Sequence, residues 1–179
     1  IGKLVDLSKS LKVGAGYEEG VGLTPVISEK QLEKVEGYAR SGVQQGAEAV
    51  HGGKRVERDG YFMEATVLNN VKQDMTVARE EIFGPVLSVL EYNDQEEAIH
   101  IANDTDYGLT ASVFTASNKT AHNAARQIRA GTVSVNCYGE GDVSTPFGGF
   151  GLSGFGGRDK SLAAHDQYCE LKTIWMDMS

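Results

Sequence analysis

Leu4, Leu7 and Leu11 recur at intervals of three and four, so the chain opens on an amphipathic helix that Gly14 ends. Residues 14–25 are glycine-rich and read as loop. Ser28 and Gln31 form a capping box: the serine hydroxyl accepts the Gln31 amide N–H while the Gln31 side chain reaches back. Leu32, Val35 and Ala39 then line one face of a helix running to Gln45, with Gly46 as its stop. Residues 47–51 and 62–68 read as short strands. Residues 85–92 are almost continuously apolar, as in a strand covered on both faces.

Asp94 with Glu97 starts a further helix to Asn103, and 111–115 reads as a strand. Ala121, Ala125 and Ile128 stripe a helix over 118–128, and 132–136 is the next strand. Strand and helix alternating at this spacing predict right-handed crossovers, hence an α/β fold with a mainly parallel sheet flanked by helices. From 138 to 157 the pattern stops. Eight of the 22 glycines fall there, which predicts a long functional loop with unusual backbone angles. A short helix over 161–167 and a last strand over 170–176 follow. That strand sets Leu171, Thr173 and Trp175 against Lys172, Ile174 and Met176, apolar groups on both sides, and so seeks a partner sheet in another subunit. The expected organisation is a catalytic domain over 1–168 and an oligomerisation strand over 169–179. The start at Ile1, inside a helix with no approach, reads as an N-terminally truncated chain.

Charge narrows the partners. With 17 Lys+Arg against 25 Asp+Glu the formal net charge is −8, which argues against nucleic acid or an anionic membrane surface. No apolar run approaches the roughly 18–20 residues of a membrane helix. Two cysteines in 179 residues make no disulfide framework, so a reducing cytoplasm is the expected compartment.

The run Glu80-Glu81-Ile82-Phe83-Gly84-Pro85 places two carboxylates, an aromatic ring and a turn before a strand. A carboxylate fixed there can accept both hydroxyls of a ribose diol, and the ring can cover a flat heterocycle. On spacing alone the run reads more readily as a solvated acidic turn with Phe83 in the core, because the pattern carries little intrinsic specificity. Gly149-Phe150-Gly151-Leu152-Ser153-Gly154 matches a dinucleotide fingerprint formally, with Glu170 near the distance of a ribose acid. But no buried strand leads into it and no βαβ unit follows. Cys137 with His165 as base would be a nucleophile pair, although a buried structural thiol is the commoner role. The four histidines show no metal-ligand spacing. Arg158 and Glu170 are placed to form an ion pair.

Taken together the segments resemble the C-terminal part of the NAD(P)-dependent aldehyde dehydrogenase superfamily. The resemblance runs through Pro25-Val26-Ile27-Ser28, the Glu80 to Val86 run, Asn103-Asp104-Thr105-Asp106-Tyr107-Gly108-Leu109, Gly131-Thr132-Val133-Ser134-Val135-Asn136 and Pro146-Phe147-Gly148-Gly149. The ending, Gly157-Arg158-Asp159-Lys160-Ser161-Leu162 with Glu170-Leu171-Lys172-Thr173-Ile174-Trp175, is most similar to dehydrogenases of γ-glutamyl-aminobutyraldehyde and related aminoaldehydes.

The resemblance implies oxidation of an aldehyde to a carboxylic acid with NAD or NADP. A cysteine thiolate attacks the aldehyde, hydride passes to the nicotinamide, and a glutamate-activated water releases the acid from the thioester. It also implies that this cysteine and glutamate lie upstream of Ile1, so the chain carries no catalytic residue and is inactive alone. What it supplies, by resemblance, is Glu81 on the nicotinamide ribose and Phe83 beside the nicotinamide. Gln31 and Lys34 match positions that reach the adenosine ribose. Phe147 and Tyr138 match the wall of the aldehyde tunnel, and residues 170–176 match the segment that pairs between subunits of a homo-oligomer. Relatives carry a lysine where Gly151 stands, which bears on the tunnel mouth. The rival expectation is a non-catalytic assembly module that uses the last strand.

Overall fold

The computed structural model describes residues 1–139 and 141–179, an α/β arrangement dividing into units over 1–91 and 92–179. In the first unit, α1 (Gly2–Ser10) ends four residues before Gly14. The backbone leaves the helix because Gly22 and Leu23 N–H groups capture the Lys12 carbonyl and Gly14 N–H bonds back to Leu23, making a bridge between Val13 and Leu23. Helix α2 (Glu29–Gln44) starts on Ser28, whose hydroxyl accepts from Gln31 N–H at 3.2 Å. Only that half of the capping box forms, because the Gln31 side chain is used elsewhere.

The apolar face of α2, Leu32, Val35 and Ala39, is buried against Met63, Leu68, Val71, Met75, Val77 and Ile82. Burying each Leu- or Val-sized side chain stabilises by about 1.5–3 kcal/mol. The sheet beneath has order β1-β2-β3, with β1 (Glu48–His51), β2 (Thr66–Asn69) and β3 (Val86–Ser88). β1 pairs antiparallel with β2 through a bulge between Ala49 and His51, and β2 pairs parallel with β3, Thr66 opposite Val86. Buried Thr66 is satisfied locally: its hydroxyl accepts from Gly53 N–H at 2.8 Å and donates to Glu64 O at 3.0 Å. A one-turn helix, α3 (Thr76–Arg79), leads into the acidic turn.

In the second unit, α4 (Gln95–Asn103) is capped by Asp94, which accepts from Glu97 N–H at 2.9 Å. β4 (Thr110–Val113), α5 (Asn118–Gln127) and β5 (Thr132–Val135) form a parallel pair with its crossover helix, Thr110 opposite Thr132. Asn103 ties α4 to the end of α5, donating to Gln127 O at 2.8 Å and accepting from Arg129 N–H at 2.7 Å. Then come a 3-10 turn at Gly151–Ser153 and α6 (Ala163–Asp166).

Among the described residues the first unit holds a three-stranded sheet and the second a two-stranded parallel one. Two of the three ladders are parallel. Residues 169–179 carry no strand ladder among the described residues, and the pairing expected of them is with another subunit. Arg158 does not pair with Glu170. Its guanidinium donates to Gly157 O at 2.8 Å and packs over the Phe150 ring at 5.1 Å. No described helix is long and apolar enough to cross a membrane.

Candidate functional site

The acidic run occupies a turn tied at both ends. Glu80 N–H bonds to Thr76 O at 3.0 Å, and Thr66 N–H bonds to Pro85 O at 2.8 Å, feeding the turn into β3. Ile82 points inward and is 8% exposed, so its neighbours Glu81 and Phe83 point out. Phe83 is 68% exposed, which removes the reading that places its ring in the core. It also has φ +55, a left-handed backbone that costs a non-glycine residue about 1–3 kcal/mol.

Helix α2 holds that conformation. Gln31 Nε2 donates to Phe83 O at 3.0 Å and to Ile82 O at 3.3 Å. Val35 packs against Gly84, and Tyr38 O–H donates to Glu80 Oε2 at 2.7 Å. Lys34 Nζ lies 5.6 Å over the Tyr38 ring, its ammonium exposed. The two adjacent carboxylates therefore differ. Glu80 is engaged by Tyr38, whereas exposed Glu81 has no hydrogen-bond or ion-pair partner among the described residues. Neither Glu81 nor Phe83 lines either of the two cavities described within the units.

The second cluster is a cavity of about 770 Å³ in the 92–179 unit. Its floor is β4 and β5, and Cys137, Tyr138, Asp142, Phe147 and Lys160 stand around it. Phe147 is fixed by a reciprocal backbone pair with Asp159, at 2.7 and 2.6 Å. Lys160 Nζ lies 5.5 Å over its ring. Hydrogen bonding from Ser144, with Lys160 nearby, holds the Asp142 carboxyl below its usual range. Thus the two expected tunnel residues, Phe147 and Tyr138, do share one cavity.

The other motifs that the sequence argues against do not assemble into sites. His165 is not the partner of Cys137: its ring nitrogens lie 3.6 and 3.7 Å from Cys169 Sγ, while half-buried Cys137 faces the cavity. The formal dinucleotide fingerprint is a 3-10 turn, with Gly149 packed on Ser153. Among the described residues no three potential metal ligands converge. The sequence reading missed Tyr38 and Val35 as supports of the turn. Their spacing from Gln31, seven and four residues respectively along one helix face, was the available signal.

The chain is 52% identical over 157 residues to aminoacetaldehyde dehydrogenase of Pseudomonas aeruginosa, covering 88% of this chain and 31% of that one. It is 41% identical over 180 residues to betaine aldehyde dehydrogenase of Brucella anthropi, covering 98% of this chain and 37% of the relative. The solved NAD+ complex of an aldehyde dehydrogenase from Bacillus cereus superposes with TM-score 0.94 at 41% identity, over 99% of this chain and 36% of that one. The chain therefore spans about a third of the length of these relatives. Residues 1–174 match the aldehyde dehydrogenase family, and the chain belongs to it.

Proposed function

We propose that the chain is the part of an NAD(P)-dependent aldehyde dehydrogenase that orients the cofactor's nicotinamide sugar and walls the aldehyde's path. The observation that carries this is Glu81: an exposed, unpartnered carboxylate beside an outward ring, on a turn pinned by α2. Two carboxylate oxygens fit two vicinal hydroxyls, so the donor set suits a ribose. The nicotinamide, when bound, supplies the hydride acceptor. Glu81 holds the sugar, Phe83 lies beside the ring, and the exposed ammonium of Lys34 serves the cofactor's adenosine side. Fixing the ring at the hydride donor serves rate as well as binding. In the second unit Phe147 and Tyr138 bound the aldehyde and exclude water.

The names of the relatives support aminoaldehydes and betaine aldehyde as the substrate class. In the test, the full-length protein is assayed for NADH or NADPH formation with aminoacetaldehyde, betaine aldehyde and a simple alkyl aldehyde. Turnover with any of them supports the reading, and turnover with none overturns it.

A second reading rests on the tail. Leu171, Ile174, Trp175 and Met176 are 107%, 64%, 92% and 76% exposed, an apolar surface that a homo-oligomer would cover. Residues 170–176 would then pair between subunits, with assembly as either an added or the sole role. Sizing the protein with and without residues 171–179 decides it, since an unchanged size removes the role of the tail.

A further inference from the structure

Gln31 sits on the first turn of α2, fixed there by the Ser28 cap. Its amide nitrogen has two N–H groups, and both acceptors within reach are main-chain carbonyls, Ile82 O at 3.3 Å and Phe83 O at 3.0 Å. These contacts span more than fifty residues of sequence and meet the one left-handed residue of the acidic turn. Left to itself a phenylalanine leaves that region, because its Cβ crowds the adjacent carbonyl. Two further contacts from the same face fix the turn on either side: Val35 against Gly84, and Tyr38 O–H on Glu80. With its N–H groups committed, Gln31 has only Oε1 left for a cofactor.

We infer that Gln31 is a positioning residue. Its side-chain amide clamps the Ile82 and Phe83 carbonyls, and so sets where the Glu81 carboxylate and the Phe83 ring stand. It acts on the cofactor through the turn rather than by touching the adenosine sugar. The effect on turnover rests on the assignment of Glu81 to the nicotinamide ribose, whereas the clamp itself does not. Val35 and Tyr38 flank the clamp, with their contacts on Gly84 and Glu80, while Gln31 is bonded to the carbonyl of the left-handed residue itself. Gln31 is therefore the point at which the turn's backbone is decided.

The test compares Gln31→Met, of similar length without a donor, with Gln31→Lys, which restores one, in the full-length protein. The first readout needs no cofactor: chymotryptic cleavage after Phe83, measured against cleavage after Tyr17, which is 91% exposed and far from the clamp in sequence. Cleavage follows the population of the opened turn, so Gln31→Met should raise the ratio about tenfold and Gln31→Lys should return it toward wild type. The second readout is kinetic. Gln31→Met should lower kcat about tenfold with little change in the NAD+ dissociation constant, and that loss should vanish when Glu81→Gln is already present. An unchanged cleavage ratio overturns the clamp. Faster cleavage with an undiminished kcat overturns the positioning role. If Glu81→Gln alone leaves kcat untouched while cleavage responds, the ribose assignment falls and the clamp stands.

Discussion

Gly84 lies so close to Val35 that a Cβ at position 84 would stand 2.5 Å from both valine methyl carbons. Val35 is fully buried in the α2 core and has nowhere to move. Gly84→Ala should therefore lever the acidic turn off α2 and destabilise the unit by about 1–3 kcal/mol, seen as a lower urea midpoint. An unaltered midpoint would show that the contact yields.

The charge of Glu81 is predicted to matter more in the transition state than in the ground state. Glu81→Gln in the full-length protein should lower kcat more than it weakens NAD+ affinity, by about 1.5–3 kcal/mol for one charged hydrogen-bond partner. Equal kcat in the two proteins would refute the orienting role.

Acid should weaken the first unit through Glu36. Hydrogen bonds from the Arg55 guanidinium, closest at 2.7 Å, hold this carboxyl below its ordinary 4.5. A folded-state pKa below the unfolded one adds stability at pH values above 4.5, and that stability is lost as pH falls through the lowered value. The gap in urea midpoint between wild type and Glu36→Gln should be open near neutrality and closed in strong acid. A gap of equal size at both ends would mean the ion pair contributes nothing.

The 179-residue chain by itself should form no NADH from an aldehyde. Cys137 faces a cavity, and among the described residues no histidine lines it to take the thiol proton. Steady turnover abolished by Cys137→Ala would reverse that conclusion.

The loop that carries Phe147 is predicted to be sensitive to Gly131. A Cβ at 131 would overlap the Gly148 carbonyl oxygen, and Gly148 follows Phe147 directly. Gly131→Ala should displace the cavity wall, raising the KM for aldehyde while the NAD+ dissociation constant holds. A rise in the latter alone would place the loop elsewhere in function.

Local chemistry made much of the fold legible. The caps at Ser28 and Asp94 and the stripe at Leu32, Val35 and Ala39 depend on residues three to seven apart, and each formed where expected. Strand length was misread. The apolar run at 85–92 yields only Val86–Ser88, since β2 offers only Thr66, Val67 and Leu68 as parallel partners. The terminal segment 170–176 has no ladder among the described residues of one chain, and the partner expected for it is a second subunit. At the site, sequence placed the two carboxylates but could not separate them, since Tyr38 meets Glu80 from 42 residues away. Nor could it show Gln31 turning from its own capping box to carbonyls at 82 and 83, a choice decided by how α2 lies on the turn.

The Ser28 cap thereby acquires a reach that helix chemistry alone would not give it. A hydroxyl that fixes the first turn of α2 also fixes the lever arm on which Gln31 swings. Loss of that hydroxyl would fray a few residues and register, fifty-odd positions downstream, as a ring at 83 that has lost its aim. A defect of this kind would be scored as faulty chemistry although its origin is a helix end.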